Sequence, residues 1–346
     1  TSGWMNRMKS GVVAIVGGDS LLGREIREVA DSLLPQAQLK LVGTDRDESA
    51  VLTEQGGEAV VITQLDEENL RGAKAVVFAG SAESTHKALD MMAEWENRPP
   101  LVDLTQNLED QPQARVRAPM VEPEGFQVEP DAIHVVAHPA SIALALFFGR
   151  LHRHYPLRQS VVQIFEPASE RGQRGLNELQ QQTVGLLSFQ TLSKEVFDEQ
   201  VSFNMLSRYG ADAPQSLQDI ELRIDRHLTT LLSRTGKITL PSLRLAQAPV
   251  FHGYTFSIWA QFESNPGPQA LNEALASALI EVRSGEEDPP TNVGVAGHSG
   301  IIVGSVEQDR NNASAVWFWA VADNLRLVAE NGMLVLQSLL SVEAVQ

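Results

Sequence analysis

Cysteine is absent from all 346 residues, which removes disulfides, thiolate metal ligands, redox switching and thiol nucleophiles together. Basic residues are scarce: 27 Lys and Arg stand against 44 Asp and Glu, a formal net charge of −17. A surface that negative repels phosphate backbones and anionic lipid headgroups, so neither nucleic acid nor a membrane is expected as a partner. It also repels small anionic substrates unless a local basic pocket compensates. No apolar run approaches the about eighteen residues that suggest a membrane span. The opening TSGWMNRMKS holds no apolar core of a secretory leader, and a cytoplasmic location is expected. The eight histidines include one H-x-x-x-H pair, His134 and His138, but no H-E-x-x-H motif, and no metal site is expected. Internal repeats, low-complexity tracts and heptads are lacking as well.

The length favours two domains, each long enough to bury a core. Residues 12–16 form a continuous apolar run closed by Gly17-Gly18, as in a buried parallel strand. Residues 21–34 have helical spacing and stop at Pro35. Further strands are predicted at 39–42, 59–62, 75–78 and 101–103, with a helix at 85–95. Strands alternating with helices predict an α/β fold that opens on a Rossmann-like, doubly wound parallel sheet. Residues 106–131, rich in Pro, Gln and Glu, read as an irregular connection. A strand at 133–136, a helix at 141–151 and a strand at 161–165 follow. Beyond them lie a helix at 217–232 and segments 238–245 and 254–262, whose apolar–polar alternation predicts an antiparallel sheet covered on one face. After a solvated linker at 286–290 come strands at 301–306 and 315–321 and a closing helix at 325–340. This second part reads as an α+β domain.

Gly17-Gly18-Asp19-Ser20-Leu21-Leu22-Gly23 sits where a strand turns into a helix. Nucleotide-binding folds use glycines there so that main-chain N–H groups at the helix start approach a pyrophosphate. The middle glycine of G-x-x-G-x-x-G is Ser20 here, whose side chain intrudes on that approach. Asp19 either sets a carboxylate where phosphate would lie or caps the helix. Asp45 stands where an acid reads a ribose hydroxyl, and Arg46 where a 2′-phosphate would be met; a plain solvated turn accounts for both equally. The cofactor expectation is therefore NADP or NAD, bound weakly or not at all. Gly297-His298-Ser299-Gly300 reads as a turn before an apolar strand.

Five segments taken in order, VVAIVGGDSLLGREI, AHPASIALALFFGRL, FEPASERGQRGLNEL, LAQAPVFHGYTFSI and VADNLRLVAENG, make the whole chain resemble the aspartate-semialdehyde dehydrogenase family. It is similar in particular to the cysteine-less, Usg-type members. The resemblance implies a dinucleotide-type domain over 8–137 completed by a C-terminal helix at 322–346, and a catalytic-type dimerisation domain over 138–321. It implies a homodimer, with a related active subunit as the alternative partner. It also implies a cofactor site at Gly17, Gly18, Ser20, Leu21, Gly23, Arg46, Asn324 and Asn331.

In that family a cysteine attacks the aldehyde, hydride passes to NADP, and phosphate releases an acyl phosphate. The resemblance places Ser141 at the nucleophile, or Ala140 if the segment is shifted by one residue. Glu166 stands for the orienting glutamine, Gln247 for the arginine that holds the substrate carboxylate, and Tyr254 for the acid/base histidine. A serine hydroxyl needs an adjacent base to be nucleophilic. Glutamine cannot offer the charged fork that grips a carboxylate, and Glu166 adds negative charge where an anionic substrate would sit. Four such changes together predict a silent site in a binding or regulatory protein. Two alternatives stand beside it: an NAD(P)-dependent oxidoreductase acting on an aldehyde with Tyr254 as proton donor, and a sensor that holds the cofactor without turnover. A hydrolase-like triad of His138, Ser141 and Glu166 competes with Ser141 acting only as a helix cap.

Overall fold

The computed structural model describes residues 11–44, 51–55, 58–285 and 287–343. The chain divides into two compact units. One is built from residues up to Pro119 with Glu124–Ala137 and the stretch from Val328 onward; the other takes Met120–Pro123 and His138–Leu327.

The first unit contains β1 (Val12–Val16), α1 (Leu21–Leu33), β2 (Gln38–Val42), β3 (Val51–Gln55), β4 (Glu58–Thr63), α2 (Glu67–Leu70), β5 (Ala75–Phe78), α3 (Ala82–Met91), β6 (Leu101–Asp103), β7 (Ala114–Arg117) and β8 (Ile133–Val136). These strands form one sheet in the order β3-β4-β2-β1-β5-β6-β8-β7. Every neighbouring pair is parallel except β3 with β4 at the edge. The apolar runs of β1 and β5 lie at the centre, where both faces are covered: Val13 to Val16 and Ala75 to Phe78 are fully buried. Ala14, Val16, Val76, Phe78 and Val135 pack one core with Leu70, Met92 and Leu108. The parallel doubly wound sheet is thus as predicted.

Two corrections apply here. The stretch 106–131 is not wholly irregular, because it contains β7, paired with β8 alone. An edge strand with one open side tolerates the arginines of ARVR, which disguised it as a connection. Helix α3 begins at Ala82 on the cap Ser81, whose hydroxyl accepts from the Ser84 N–H, and it stops short of Trp95. Asp45 and Arg46 lie outside the described residues.

The second unit contains α4 (Pro139–His152), β9 (Leu157–Glu166), α5 (Gly172–Leu187), α6 (Leu217–Ser233), β10 (Ser242–Gln247), β11 (Tyr254–Phe262), α7 (Pro268–Leu275), β12 (Ile280–Val282), β13 (Ile301–Gln308) and β14 (Ala315–Ala322). The closing helix α8 (Asn324–Glu343) starts in this unit and supplies its later residues to the first. The sheet order is β10-β9-β11-β14-β13-β12. Its middle is antiparallel, as the alternation predicts, but β10 runs parallel to β9 and β12 parallel to β13. Alternation reports one covered face and carries no information on direction.

Along β11, Tyr254, Phe256, Ile258, Ala260 and Phe262 are buried, while Ser257, Trp259 and Gln261 on the other face are less so. Helix α4 is apolar on nearly every side and buried from Pro139 to Gly149, as a helix covered all round must be. The opposite sheet face keeps Val161, Trp317 and Trp319 exposed. Among the described residues no helix is long and apolar enough to cross a membrane.

Candidate functional site

In the first unit, the glycine turn is shaped by backbone contact. Gly17 has φ +91°, and a Cβ there would strike the main chain of Gly80. A Cβ on Gly23 would strike the carbonyl oxygen of Gly17, and one on Gly18 would crowd Leu41. The N–H groups of Gly17 and Gly18 both donate to the Val42 carbonyl, at 2.8 and 3.0 Å, and that of Ser20 donates to Gly17 at 3.0 Å. Ser20, not Asp19, caps α1: its hydroxyl accepts from the Gly23 N–H at 2.9 Å and donates to the Ala79 carbonyl at 2.8 Å. Asp19 is exposed beside it. Leu21 opens α1 without capping it. The Ser20 hydroxyl and the exposed Asp19 carboxylate thus stand at the start of α1, where a pyrophosphate would approach. These residues do not fit a dinucleotide pyrophosphate well.

In the second unit, three of the four expected catalytic positions meet in one buried network. Glu166, at the end of β9, is fully buried, and a buried carboxylate demands a partner. Its Oε1 lies 3.0 Å from the Arg171 guanidinium and accepts from the Tyr209 hydroxyl at 3.1 Å. Its Oε2 accepts from the Tyr254 hydroxyl at 3.1 Å. The same Tyr209 proton is shared with Gln247 Oε1, the nearer acceptor at 2.6 Å. The Gln247 amide in turn donates to the carbonyls of Glu166 and Ala248, each at 2.9 Å. Arg171 donates from its other terminal nitrogen to Gln215.

Arg171 thus balances the negative charge that Glu166 brings to this position. Arg171, Tyr209, Glu170 and His227 are the members the sequence reading missed. The available signal was a carboxylate ending an apolar strand with an arginine five residues on.

Ser141 stands apart. Helix α4 begins earlier than predicted, with Pro139 in its first turn and His138 as the cap, its Nδ1 accepting from the Ala140 N–H at 3.3 Å. Ser141 is therefore inside the helix and not its cap. Its buried hydroxyl donates to the Ile224 carbonyl of α6 at 2.8 Å. Ala140, its neighbour in the first turn, is buried too. The triad does not form. His138 meets His227 through its main-chain N–H at 3.0 Å and Glu170 through Nε2 at 3.6 Å, and neither ring nitrogen bonds Ser141.

The electrostatics follow from burial. His138 is held well below its ordinary value of 6.5 by desolvation, then by His227, Arg223 and Arg171, so it is neutral. Tyr254 and Tyr209 are pushed well above 10 by burial and then by Glu166, which keeps both phenols protonated. Glu170 is raised to about 7 by burial and by the Glu166 charge, against the pull of Arg171 and a hydrogen bond from Asn324. Asn324, expected at a cofactor, is turned inward: its amide donates to Glu170 at 2.6 Å and to Ser169 at 3.0 Å, and its Oδ1 accepts from the Gly253 N–H at 3.1 Å. Asn331 is fully buried in the later part of α8. The described residues contain no group of three or more His, Asp or Glu side chains able to hold a metal.

Comparison with known proteins places this geometry in context. Residues 149–327 match the family described as "Semialdehyde dehydrogenase, dimerisation domain". A USG-1 protein homolog of Pseudomonas aeruginosa is 33% identical over 174 residues, which are 50% of this chain and 51% of that relative, so the alignment spans about half its length. A USG-1 protein homolog of Azotobacter vinelandii is 29% identical over 91% of this chain and 93% of its own. Among solved structures, a probable aspartate-semialdehyde dehydrogenase from Pseudomonas aeruginosa superposes with a TM-score of 0.80 at 26% identity, covering 95% of this chain and 98% of its own. The aspartate-semialdehyde dehydrogenase of Candida albicans, solved with NADP, shares the fold with a TM-score of 0.67 at 13% identity, covering 97% of this chain and 100% of its own.

Proposed function

Because this chain belongs to the semialdehyde dehydrogenase family, we propose that it is a member silent in the dehydrogenation and acts instead as a homodimeric binding or regulatory protein of the cytoplasm. One observation carries the reading: the residues at the expected catalytic positions spend their hydrogen-bonding capacity on one another and on the main chain. An acyl-forming dehydrogenation needs a nucleophile with a base beside it, a group that grips the substrate carboxylate, and a proton donor near its working pKa. Ser141 donates to a main-chain carbonyl. Gln247 is saturated by two carbonyls and Tyr209. The Tyr254 phenol is held protonated against Glu166, and the one buried cation of the network, Arg171, is paired with that carboxylate.

The family includes a dehydrogenase solved with NADP. For this chain we place NADP or NAD binding at weak or absent, since Ser20 fills the turn where the pyrophosphate would approach. The match to a dimerisation domain supports the homodimer. So does the face carrying Val161, Trp317 and Trp319, which leaves large apolar groups in water unless a second copy covers it. The test is NADPH formation from aspartate semialdehyde with phosphate present. The expected result is no turnover above buffer, unchanged in Ser141→Ala. Turnover that Ser141→Ala abolishes would overturn the proposal.

A further inference from the structure

We propose that Glu170 is a latch that holds the start of α8, and that loss of its proton releases it. The long stretch of the second unit begins at His138 and ends at Leu327, and Glu170 reaches a residue near each end. Its Oε1 accepts from the amide of Asn324, the first residue of α8, at 2.6 Å. Its Oε2 lies 3.6 Å from Nε2 of His138, the cap of α4. Because His138 Nδ1 accepts from the Ala140 N–H, the proton of the neutral ring sits on Nε2, toward Glu170.

Asn324 is the other half of the latch and is buried. Its amide also donates to Ser169 Oγ at 3.0 Å, and its Oδ1 accepts from the Gly253 N–H at 3.1 Å. The N–H groups of Ala168 and Ser169 donate in turn to the carbonyls of Val250 and Phe251, at 2.8 and 2.9 Å. One side chain thus knits together the single turn Ala168–Arg171, the loop before β11 and the first residue of α8.

Two carboxylates meet at this junction beside one guanidinium. Glu166 is fully buried and takes Arg171 at 3.0 Å. The Glu170 side chain is only 12% exposed, and among the described residues it forms no ion pair with Arg or Lys. The other titratable and charged groups around it are the protonated Tyr254 at the start of β11, and His227 and Arg223 of α6 behind His138. Ionised in place, Glu170 therefore faces the Glu166 charge with little water, which raises its pKa from 4.5 to about 7. An opened junction returns the carboxylate to water and relieves both effects. Opening is then favoured as pH rises, roughly tenfold for each unit from 4.5 to about 7, and levels off above. His138, held below 6.5, acts in the opposite sense wherever opening exposes it, so the comparison is made against Glu170→Gln.

The test is hydrogen exchange of the full chain from pH 5 to 8, with the intrinsic pH dependence divided out. The reporters are the Gly253 amide, bonded to Asn324, and the first turn of α8. Their protection should stay below that of β13, the mark of a local opening. Relative to Glu170→Gln, it should fall about tenfold or more between pH 5 and 7.5 in the parent. Glu166→Gln, which removes the like charge, should shift that fall to lower pH. Exchange no faster than in β13, a parent-to-variant ratio flat with pH, or an unshifted fall in Glu166→Gln would each overturn the latch. Catalytic silence is a separate matter: dehydrogenase turnover would sink it and leave the latch standing.

Discussion

Replacing Arg171 by Met tests whether the buried network is held by charge balance. Glu166 is fully buried and Arg171 is 10% exposed, so neither regains much water when its partner is lost. Breaking a buried pair by removing one member typically costs about 3–5 kcal/mol, because the other charge stays behind. For a unit of this size about 1 kcal/mol corresponds to roughly 2–4 °C in Tm, which puts Arg171→Met about 6–20 °C below the parent. Burial alone would lower the Arg171 pKa, yet the Glu166 carboxylate carries it above its ordinary value, so the favourable pairing outweighs desolvation. Glu166→Gln should cost less, since the amide oxygen can still accept from Tyr209, the amide NH2 can donate to the Tyr254 hydroxyl oxygen, and Glu170 stays near Arg171. The double variant Glu166→Gln, Arg171→Met should then be more stable than the sum of the single losses predicts. The assay is urea unfolding of all four proteins at pH 7. Arg171→Met within about 1 kcal/mol of the parent, or strictly additive losses, would refute the argument, because a coupled pair must show an interaction energy of about 0.5–3 kcal/mol.

Glu170 is raised from 4.5 to about 7, so the folded protein holds its proton longer than the unfolded chain does. Its stabilising contribution is full below pH 4.5 and is lost as pH rises through about 7. His138, lowered from 6.5, acts in the opposite sense, so the measurement is the difference between parent and Glu170→Gln. Urea midpoints should show the variant gaining on the parent steadily from pH 5 to 8, and parallel curves would contradict this. Sedimentation at micromolar concentration should show a dimer that Trp319→Glu converts to monomer. Because Trp259 and Trp317 both donate to Asp309, at 2.9 and 2.8 Å, dilution through the dimer transition should also shift the tryptophan emission. Calorimetry should find NADP binding weaker than about 100 μM, roughly −5.5 kcal/mol. Asp19→Thr with Ser20→Gly should strengthen it, since glycine at a cap costs only a few tenths of a kcal/mol.

The parts legible in the sequence are those where one local pattern has one physical cause. The apolar runs of β1 and β5 could only be strands covered on both faces, and the alternation of β11 only a strand covered on one. Strand β7 hid because its arginines suit an edge, and the direction of β10 hid because alternation is blind to direction. At the site, the family resemblance pointed to Glu166, Gln247 and Tyr254 as a group. What it could not supply was Tyr209, 43 residues from Glu166, or Arg171, which sits in a polar stretch that reads as solvated surface. Pro139 moved the helix start back and so made His138, not Ser141, the cap. Tyr209 is a long-range partner that no window of neighbouring residues contains, whereas Arg171 and Pro139 are local features that a competing local reading outweighed.

The glycine turn after β1 has a consequence for the drift of such chains. Gly17 and Gly23 are locked by the main chain they touch, so any substitution there damages the sheet–helix junction whether or not a nucleotide ever visits. Ser20 faces no such veto, and its hydroxyl has become part of the junction. A lineage that stops using a dinucleotide is thus free to change the middle of the fingerprint and compelled to keep its ends. The outer glycines record architecture, and the middle residue alone records use.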